Sequence, residues 1–379
     1  MMPDEHLHPA KTDGMTRLVE EVGYPSAVDI RTEFTQILTD IETEMSDVLN
    51  ERTGPARPLY EMLAYHLGLD PNAPQRGGKR IRPLLGLLAY QSLGGDYKKA
   101  LPGAAALELG HNFSLVHDDI EDADRERRHR PTLWALWGVP AAINAGDALF
   151  ALSRLALYRL LEGEEYEDRR VLDLMKIYDE TCLALCEGQY LDISFERRDD
   201  VTVEAYYEMI GKKTAALLGA SVMAGAILAV DNTEVHEAYR QFGHDLGMAF
   251  QMADDIKGTF WSSEDSGKPE AGDIRKRKKT LPVVWALQNA VLEDRARLGE
   301  IYAPPESTTD GRPAIYGGAL TDDEVSEVLA ILERSGARDH AEGEARRWRD
   351  RALQHIEGLP CLPEGKRDLT TLVRWAIAT

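Results

Sequence analysis

"ELGHNFSLVHDDIED", residues 108–122, ends in a group of three aspartates, Asp118, Asp119 and Asp122. In a helix, Asp118 and Asp122 are i and i+4 neighbours, so their side chains share a face and repel each other unless a cation lies between them. Apolar residues such as Ile120 are interleaved with the acids, which argues against a fully solvated face. We therefore interpret the stretch as a partly buried helix whose acidic face holds a cation.

Helical periodicity extends along the chain on both sides of this stretch. The first apolar stripe has spacings of three and four and consists of Ile30, Phe34, Ile37, Leu38, Ile41, Met45, Val48 and Leu49. Further helical patterns cover approximately 100–122, 140–162, 169–197, 203–230, 234–257 and 280–295. Another begins where Thr321 and Glu324 form a capping box, and Gly336 is its expected stop. No comparable run alternates with period two, so the sequence predicts an all-α fold.

The chain is acidic, with a net charge of -21 over 379 residues. This charge disfavours a non-specific binder of nucleic acid or of anionic membranes, so we expect no nucleic-acid partner despite the basic run RKRKK at 275–279. Cys182, Cys186 and Cys361 are an odd number of cysteines and do not indicate a disulfide framework, which favours the reducing cytoplasm. We expect Cys182 and Cys186 to pack in the core or in an interface.

The N-terminal segment is charged and polar and lacks the apolar core of a signal peptide. We expect residues 1–25 to form a flexible tail. The longest uncharged stretch, 215–230, has 16 residues rich in Ala and Gly, fewer than the ~20 that a bilayer requires. We interpret it as a buried helix with close neighbours and expect no membrane span.

A second acidic pair, Asp254 and Asp255, lies in "FQMADDIKG" on another predicted helix. Two basic loops, 69–83 and 258–279, interrupt the helical pattern. Carboxylates completed by water and phosphate oxygens are the ligands that Mg²⁺ prefers, so acidic helix faces with basic loops suggest a metal-bridged anionic substrate. The alternatives are an accidental DDxxD in an acidic chain and a solvated charged face. A calcium loop is disfavoured because no D-x-D-x-D-G spacing is present.

Seven motifs occur in an order that is informative when they are taken together. They are GGKRIRP (77–83), ELGHNFSLVHDDIED (108–122), RRHRPT (127–132), GQYLD (188–192), KT (213–214), FQMADD (250–255) and GKPEAGDIRKRKKTLP (267–282). In this order they resemble the basic and aspartate-rich motifs of the trans-isoprenyl diphosphate synthases. The likeness covers about residues 75–282.

The resemblance implies an all-α isoprenoid-synthase fold, with a bundle of helices around a deep central cavity and usually a homodimer. Length alone would favour two or three domains. Motifs spread from 77 to 282 must nevertheless converge on one substrate, and a domain boundary between them would separate the ligands. We therefore expect residues 26–379 to form a single domain.

The implied reaction is the head-to-tail condensation of isopentenyl diphosphate with an allylic diphosphate. The C–O bond of the allylic substrate ionises, the double bond of isopentenyl diphosphate attacks the cation, and a proton is lost. Ionisation requires neutralisation of the leaving diphosphate, a task for Mg²⁺ and fixed Lys or Arg donors in a water-poor site. The family implies about two to three Mg²⁺ ions per active site.

The resemblance also assigns roles residue by residue. The metal-binding carboxylates would be Asp118, Asp119, Asp122, Asp254 and Asp255, with Asp119 in a supporting role. The allylic diphosphate would be held by Arg127 and Lys268. The closing loop, defined as residues 267–282, would contribute Lys278. The isopentenyl diphosphate would be bound by Lys79, Arg82, His111 and Arg128, because Arg and Lys suit phosphate oxygens. The allylic cation would be faced by Lys213, Thr214 and Gln251, in a site lined by Gln189 and Asp192.

Two positions depart from the family pattern. Gly258 stands where the second aspartate motif usually has its third Asp, since this chain reads DDIKG. If that Asp only supports bound water, activity survives; if a third metal needs it, activity falls. His129 replaces the usual Gly after the arginine pair, which bears on the geometry of Arg128.

Product length depends on the residues that lie deeper along the first aspartate helix. Phe113 precedes Asp118 by five residues, which corresponds to about 7.5 Å at the helical rise. A bulky ring there would cap the tunnel, and its neighbour Ser114 is small. This combination is similar to archaeal-type geranylgeranyl diphosphate synthases, so we favour a C20 product over the C15 product, farnesyl diphosphate.

Two other classes of function are alternatives to prenyl elongation. A class I terpene cyclase needs N/D-D-x-x-S/T-x-x-x-E as its second metal motif, and Gly258 and Ser262 occupy the corresponding positions here. It also has no use for an isopentenyl diphosphate site at Lys79, Arg82 and Arg128. A non-catalytic subunit of a heteromeric synthase is suggested by Gly258, but the first aspartate motif is complete.

Overall fold

A computed structural model of the protein describes residues 30–51, 54–70, 77–163, 165–261, 271–303 and 319–378. Within these ranges the chain is almost entirely helical, so the predicted all-α fold class is confirmed. The expected tail, 1–25, and Lys268 lie outside the described residues.

The helices of the first half of the chain alternate with short turns. In order they are α1 (Ile30–Glu33), α2 (Thr35–Asn50), α3 (Arg57–Leu67), α4 (Ile81–Ser92), α5 (Leu101–Glu121), α6 (Leu133–Trp137), α7 (Val139–Tyr158) and α8 (Asp168–Phe195). Short 3₁₀ turns precede α5 and follow α7. The first aspartate motif therefore occupies the C-terminal end of a 21-residue helix.

The second half follows the same plan. Its helices are α9 (Val203–Ile210), α10 (Ala216–Ala229), α11 (Thr233–Phe260), α12 (Gly272–Arg275), α13 (Leu281–Asn289), α14 (Leu292–Ile301), α15 (Asp322–Arg334), α16 (Ala337–Gly358) and α17 (Pro363–Ala378). A π-helical turn, Gly211–Ala215, joins α9 to α10. The capping box is present at the start of α15, where Thr321 and Glu324 exchange hydrogen bonds.

The hydrophobic core joins helices that are distant in sequence. Ile41 of α2, Leu84 of α4, Leu109 of α5, Leu246 of α11 and Leu372 of α17 are all fully buried in one cluster. The apolar stripe predicted for 30–49 accounts for its N-terminal part. Burial of such side chains contributes roughly 1.5–3 kcal/mol each to folding, which explains how helices without strong caps are held in place.

The Ala- and Gly-rich stretch at 215–230 forms α10, which packs between α4 and α11. A Cβ on Gly225 would lie 2.8 Å from the backbone nitrogen of Tyr90, so only glycine permits this approach of α4 and α10. Within the described residues, one helical stretch, Val203–Ala229, is long and apolar enough to cross a membrane. Most of its apolar window is buried inside the fold, as expected for a core helix.

Two local features differ from the sequence prediction. The predicted helix over 280–295 ends at Asn289, because Ala290 and Val291 adopt extended backbone before α14 begins. A two-stranded antiparallel hairpin, β1 (Glu126–Arg127) and β2 (Arg130–Pro131), follows the first aspartate motif. Strands of two residues are too short to show a period of two, so the pattern could not reveal them.

Candidate active site

The π-helical turn Gly211–Ala215 presents Lys213 and Thr214 to the interior. Single π turns inside helices are rare and occur often at functional sites. Gly188 of α8 allows this turn to pack closely, because a Cβ there would lie 2.6 Å from Cα of Lys213. The GQYLD and KT motifs, 25 residues apart at their glycine and lysine, are thus brought into direct backbone contact.

The first acidic wall consists of Asp118, Asp119 and Asp122 at the end of α5. Lys213 Nζ lies 3.6 Å from Oδ1 of Asp118 and donates a 2.5 Å hydrogen bond to Asp192 of α8. Lys278 Nζ donates to Oδ2 of Asp122 at 3.2 Å. Two lysines, one from the π turn and one that follows α12, therefore balance the charge of Asp118 and Asp122.

Burial and charge compete at these lysines. Burial alone would lower the pKa of Lys278, but the neighbouring carboxylates, led by Asp122 and Asp192, raise it well above its ordinary value. The pKa of Lys213 is also raised, because Asp192 and Asp118 outweigh burial. Both side chains are therefore charged at neutral pH.

Asp119 differs from its two neighbours because it points into the protein and is almost fully buried. Arg127 of the hairpin donates from Nε to its Oδ1 at 2.6 Å. Burial raises the pKa of Asp119 to about 6, although Arg127 acts in the opposite direction. This geometry ties the hairpin to α5 and leaves Asp118 and Asp122 as the outward-facing carboxylates.

The second acidic wall consists of Asp254 and Asp255 on α11. Asp255 is buried and accepts hydrogen bonds from Tyr206 at 2.7 Å and from Gln251 at 2.8 Å. Burial, followed by the nearby carboxylate of Asp273, raises the pKa of Asp255 to about 7. Asp254 is less buried. Neutral donors hold Asp255, whereas cations face the carboxylates of the first wall.

Thr214 and Gln251 join the π turn to the second acidic wall. The hydroxyl of Thr214 donates to Oε1 of Gln251 at 2.7 Å, and the amide of Gln251 donates in turn to Asp255. This chain fixes the orientation of the Gln251 amide. Two residues predicted to act as a group are therefore joined directly by a hydrogen bond.

The basic pocket consists of Arg82, His111 and Arg128. Arg82 Nη1 lies 3.0 Å from Nε2 of His111. Burial, with Arg82 next in importance, lowers the pKa of His111 well below its ordinary value, so the ring is neutral. Burial also lowers the pKa values of Arg82 and Arg128 to about 10, which leaves both charged at neutral pH.

One glycine, Gly78, and a tight turn position Arg128 of the hairpin. A Cβ on Gly78 would lie 2.7 Å from Nη2 of Arg128, so the glycine leaves room for the guanidinium in its present position. Arg128 and His129 form the hairpin turn with φ angles of 54° and 60°. Two consecutive positive φ values are those of a type I′ turn, in which His costs more than Gly. The hairpin nevertheless closes with His129 in place.

The remaining predicted residues lie at the edges of the site. Lys79 stacks its ammonium on the ring of Trp375 in α17, 5.0 Å from the centroid. Gln189 donates to Glu121 at 2.7 Å rather than into the acidic walls.

Phe113 lies below the first acidic wall and is buried. Its ring meets Phe150 of α7 edge to face, with centroids 5.2 Å apart. The hydroxyl of the adjacent Ser114 donates to the carbonyl of His111 at 2.8 Å. The three cysteines are unpaired, with Cys182 buried and Cys186 exposed.

A comparison with known families decides the identity of this site. The family model described as polyprenyl synthetase matches residues 70–316, which is more than half of the chain and includes all seven motifs. The chain belongs to the polyprenyl synthetase family.

Curated relatives and solved structures agree with this assignment. The synthase is 36% identical over 337 residues to a (2E,6E)-farnesyl diphosphate synthase of Mycobacterium bovis, covering 86% of this chain and 87% of the relative. It is 37% identical over 314 residues to a geranylgeranyl diphosphate synthase of Mycobacterium tuberculosis, covering 82% and 83%. The solved geranylgeranyl pyrophosphate synthetase from Pyrococcus horikoshii superposes with a TM-score of 0.79 at 33% identity, covering 91% of this chain and 97% of that one.

These relatives confirm three expectations. The family resemblance, the all-α isoprenoid-synthase fold and the prenyltransferase activity all hold. The chain is a trans-prenyl diphosphate synthase. Its relatives divide between C15 and C20 enzymes, so they do not decide the product length.

The donor set of the synthase fits Mg²⁺, which the family uses. Asp118 and Asp122 present hard oxygen ligands on one helix face, and lysines already supply positive charge to them. Within the described residues, no three potential ligands are assembled closely enough to hold a metal by themselves. Oxygens of substrate and water would therefore have to complete the coordination, as Mg²⁺ prefers.

Several residues of the site were not identified from the sequence. Tyr206 is fully buried against Asp255, and Glu108 forms a buried ion pair with Arg80 at 2.9 Å. A pairing between Lys276 and Asp124 connects the closing loop to the end of α5. Tyr206 belongs to no motif, and Glu108 begins the first aspartate motif without any sign of its partner, so only the fold reveals these contacts.

Proposed function

We propose that this synthase condenses isopentenyl diphosphate with allylic diphosphates up to the C20 product, geranylgeranyl diphosphate. The observation that carries the chain length is the aromatic pair of Phe113 and Phe150 beneath Asp118. A growing prenyl chain whose diphosphate is held at Asp118 would extend along α5 towards this pair. The edge-to-face contact gives the two rings a fixed arrangement and makes them a stiffer floor than one ring alone.

A second layer lies one further turn along α5. A Cβ on Gly110 would lie 2.9 Å from Cζ of Tyr178, so the phenol ring packs directly against the helix backbone. Its hydroxyl is hydrogen-bonded to Ser153 at 2.5 Å, and both residues are almost fully buried. Tyr178 and Ser153 would therefore limit product length even if the side chain of Phe113 moved aside.

The allylic diphosphate would be held between the two acidic walls. When bound, Mg²⁺ would neutralise the developing charge of the leaving diphosphate, with Asp118, Asp122 and Asp254 as the residues that hold it. Lys278 would place its ammonium beside the same oxygens, because it is fixed by Asp122. Arg127, which is held by Asp119, would contribute a second cation to the leaving group.

The allylic cation would form close to the π turn. There Thr214 and Gln251 offer oxygen atoms whose directions are fixed by hydrogen bonds, so they stabilise positive charge without reorganisation. Lys213 would be turned away from the cation by its bond to Asp192. Burial of Thr214 keeps water from the carbon that carries the charge.

Isopentenyl diphosphate would occupy the basic pocket. Arg82 and Arg128 are charged and partly desolvated, which strengthens their hydrogen bonds to phosphate oxygens. His111 is neutral, so it can donate one hydrogen bond without adding repulsion to the arginines. Lys79 would close the pocket from the side of α17.

We also propose a cytoplasmic homodimer. Large apolar side chains are exposed along α6, α7 and α8, including Trp137, Ile143, Leu155, Leu183 and Tyr190. Tyr190, within the GQYLD motif, is 73% exposed, which is unusual for an aromatic residue of an active-site motif. Exposed apolar side chains on three helices that contact one another in series favour a protein interface, and a second copy of the chain would cover them. Sedimentation equilibrium should give twice the mass of one chain.

The direct test is product analysis. Purified protein is incubated with Mg²⁺, isopentenyl diphosphate and, separately, the C5, C10 and C15 allylic diphosphates, and the dephosphorylated alcohols are identified by mass spectrometry. We expect a dominant C20 alcohol from each starter. A dominant C15 alcohol from the C5 and C10 starters would retain elongation and refute the proposed length, and no elongation from any starter would refute the function.

Replacement of Phe113 tests the proposed product length separately from the reaction. In Phe113→Ala the tunnel should deepen by about one isoprene unit, because roughly one helical turn of space opens above Tyr178. We expect products longer than C20, with Ser114→Ala as the neighbouring control that retains the wild-type length. An unchanged product in Phe113→Ala would show that another wall sets the limit.

A further inference from the structure

The second aspartate motif of this chain has Gly258 at the position of its third Asp. Gly258 lies four residues after Asp254 on α11 and therefore shares its face. It is buried, although the corresponding position of the motif would carry a carboxylate. The backbone at this position is regular helix, in which Gly costs about 1 kcal/mol relative to Ala. A helix has no local reason to place glycine here.

The space next to Gly258 is filled by another carboxylate. A Cβ built on Gly258 would overlap Oδ2 of Asp273 and lie 2.7 Å from its Cγ, closer than real Cβ contacts. Any side chain at 258 would displace Asp273. Because Gly258 has no side chain, the carboxylate of Asp273 lies directly against this face of α11.

The position of Asp273 is set by the short helix α12. Its carbonyl accepts a hydrogen bond from the backbone nitrogen of Lys278 at 2.9 Å, and Ile274 beside it is fully buried. Arg275 of the same helix accepts from Leu320 through its backbone and pairs with Asp322 at 2.8 Å. Asp273 is thus placed by packed neighbours on the segment that also carries Lys278.

Its charge is directed towards the second acidic wall. Asp273 lies close enough to act electrostatically both on Asp255 of that wall and on Lys278, which pairs with Asp122 of the first acidic wall.

We propose that Asp273 supplies the third carboxylate of the second acidic wall, in place of the side chain that Gly258 lacks. It is a positioning residue that orients the water shell of Mg²⁺ beside Asp254. This inference rests on the proposed function, because it requires Mg²⁺ between the two walls. It also changes the expected effect of restoring the motif: Gly258→Asp should damage the site, because it places a second carboxylate where Asp273 already lies.

The test measures how the binding of a substrate analogue depends on Mg²⁺. The Mg²⁺ concentration that half-saturates binding of farnesyl S-thiolodiphosphate, an analogue that does not ionise, is measured by calorimetry on the full chain. Asp273→Asn should raise it about 10-fold or more, the usual effect of losing an outer partner of a metal site. Asp322→Asn, which removes an acidic contact of α12 that does not face Gly258, should leave it unchanged.

A paired substitution separates charge placement from folding. Gly258→Asp alone should lower the thermal unfolding temperature and weaken Mg²⁺ binding, because two carboxylates compete for one space. Adding Asp273→Gly should restore both, because it moves the carboxylate onto α11 and opens room for it. Unchanged Mg²⁺ binding in Asp273→Asn, or a double variant no better than Gly258→Asp, would overturn the proposal. Failure of the wild-type protein to bind the analogue with Mg²⁺ would instead refute the proposed function.

Discussion

The acidic walls and the basic pocket are carried by different kinds of backbone. Asp118 and Asp254 lie on long regular helices, α5 and α11, whose positions are set by the hydrophobic core, and Asp122 is the C-cap residue of α5. Arg128 lies on a two-residue turn with positive φ, and the residue before α4, Arg80, also has a positive φ of 52°. The difference teaches that the metal-binding carboxylates are placed by regular helices, whereas the basic pocket combines two helical residues, Arg82 and His111, with Arg128 on a strained turn.

The two regions also balance charge in opposite ways. At the first acidic wall, Lys213 and Lys278 face the carboxylates directly. In the basic pocket, the buried Glu108 pairs with Arg80, which leaves Arg82 and Arg128 to act on a ligand. We therefore expect the acidic walls to need added cations before a diphosphate binds, and the basic pocket to need none.

The largest effect is expected at the first acidic wall. Asp118→Asn removes one proposed Mg²⁺ ligand, so kcat/KM for the allylic substrate should fall by about 10²–10³-fold, the range for losing one electrostatic contact to a transition state. Asp124→Asn, which removes an acid paired with Lys276 on the periphery of the site, is the matched control and should stay within about threefold of wild type. If kcat/KM fell no further in Asp118→Asn than in Asp124→Asn, the distinction between Asp118 as a metal ligand and Asp124 as a peripheral acid would be contradicted.

The next prediction concerns Lys278 and tests whether the closing loop acts at the acidic walls. Lys278→Gln removes a charged group held by Asp122, so kcat should fall by about 10²-fold while KM for isopentenyl diphosphate stays unchanged. Lys276→Gln changes a more exposed lysine two residues away and should have little effect. Equal losses in the two variants would show that only the loop's net charge matters.

A smaller and more selective effect is expected in the basic pocket. Arg128→Gln should raise KM for isopentenyl diphosphate by about 10- to 100-fold, because charge-assisted hydrogen bonds contribute about 1.5–3 kcal/mol. KM for the allylic substrate should not change. Arg125→Gln, at a guanidinium stacked on Trp134, is the control for loss of a nearby positive charge. Steady-state kinetics with each substrate varied in turn would show whether the two regions are independent.

The smallest effect concerns the strained turn itself. His129→Gly should raise the free energy of unfolding by about 0.5–1 kcal/mol, because Gly adopts positive φ without the steric cost that His pays. Activity should be retained, since Arg128 keeps its place against Gly78. Urea unfolding gives the stability change, and a decrease in stability would indicate that the His129 side chain makes a compensating contact.

The sequence predicted the helical part of the molecule better than its turns. Apolar spacing located α2, α5 and α11 within a few residues, because burial of one stripe leaves a clear period. It missed the hairpin at 126–131 and the break after Asn289, where a few backbone angles decide the structure.

The same limit applies to the candidate site. Motif order brought Lys213, Thr214 and Gln251 into one group, and the hydrogen bond of Thr214 to Gln251 agrees with it. The proximity of Asp273 to Gly258 had no sequence signal, because it depends on how α12 folds back on α11. The sequence could therefore show a missing carboxylate but not its substitute.

The most direct test of the account is the metal dependence of each binding event. Calorimetry with and without Mg²⁺ is carried out separately with isopentenyl diphosphate and with farnesyl S-thiolodiphosphate. We predict that isopentenyl diphosphate binds with similar affinity in excess EDTA, and that the allylic analogue binds only when Mg²⁺ is present. Binding of the analogue in EDTA, or loss of isopentenyl diphosphate binding there, would contradict the division into acidic walls that require metal and a basic pocket that does not.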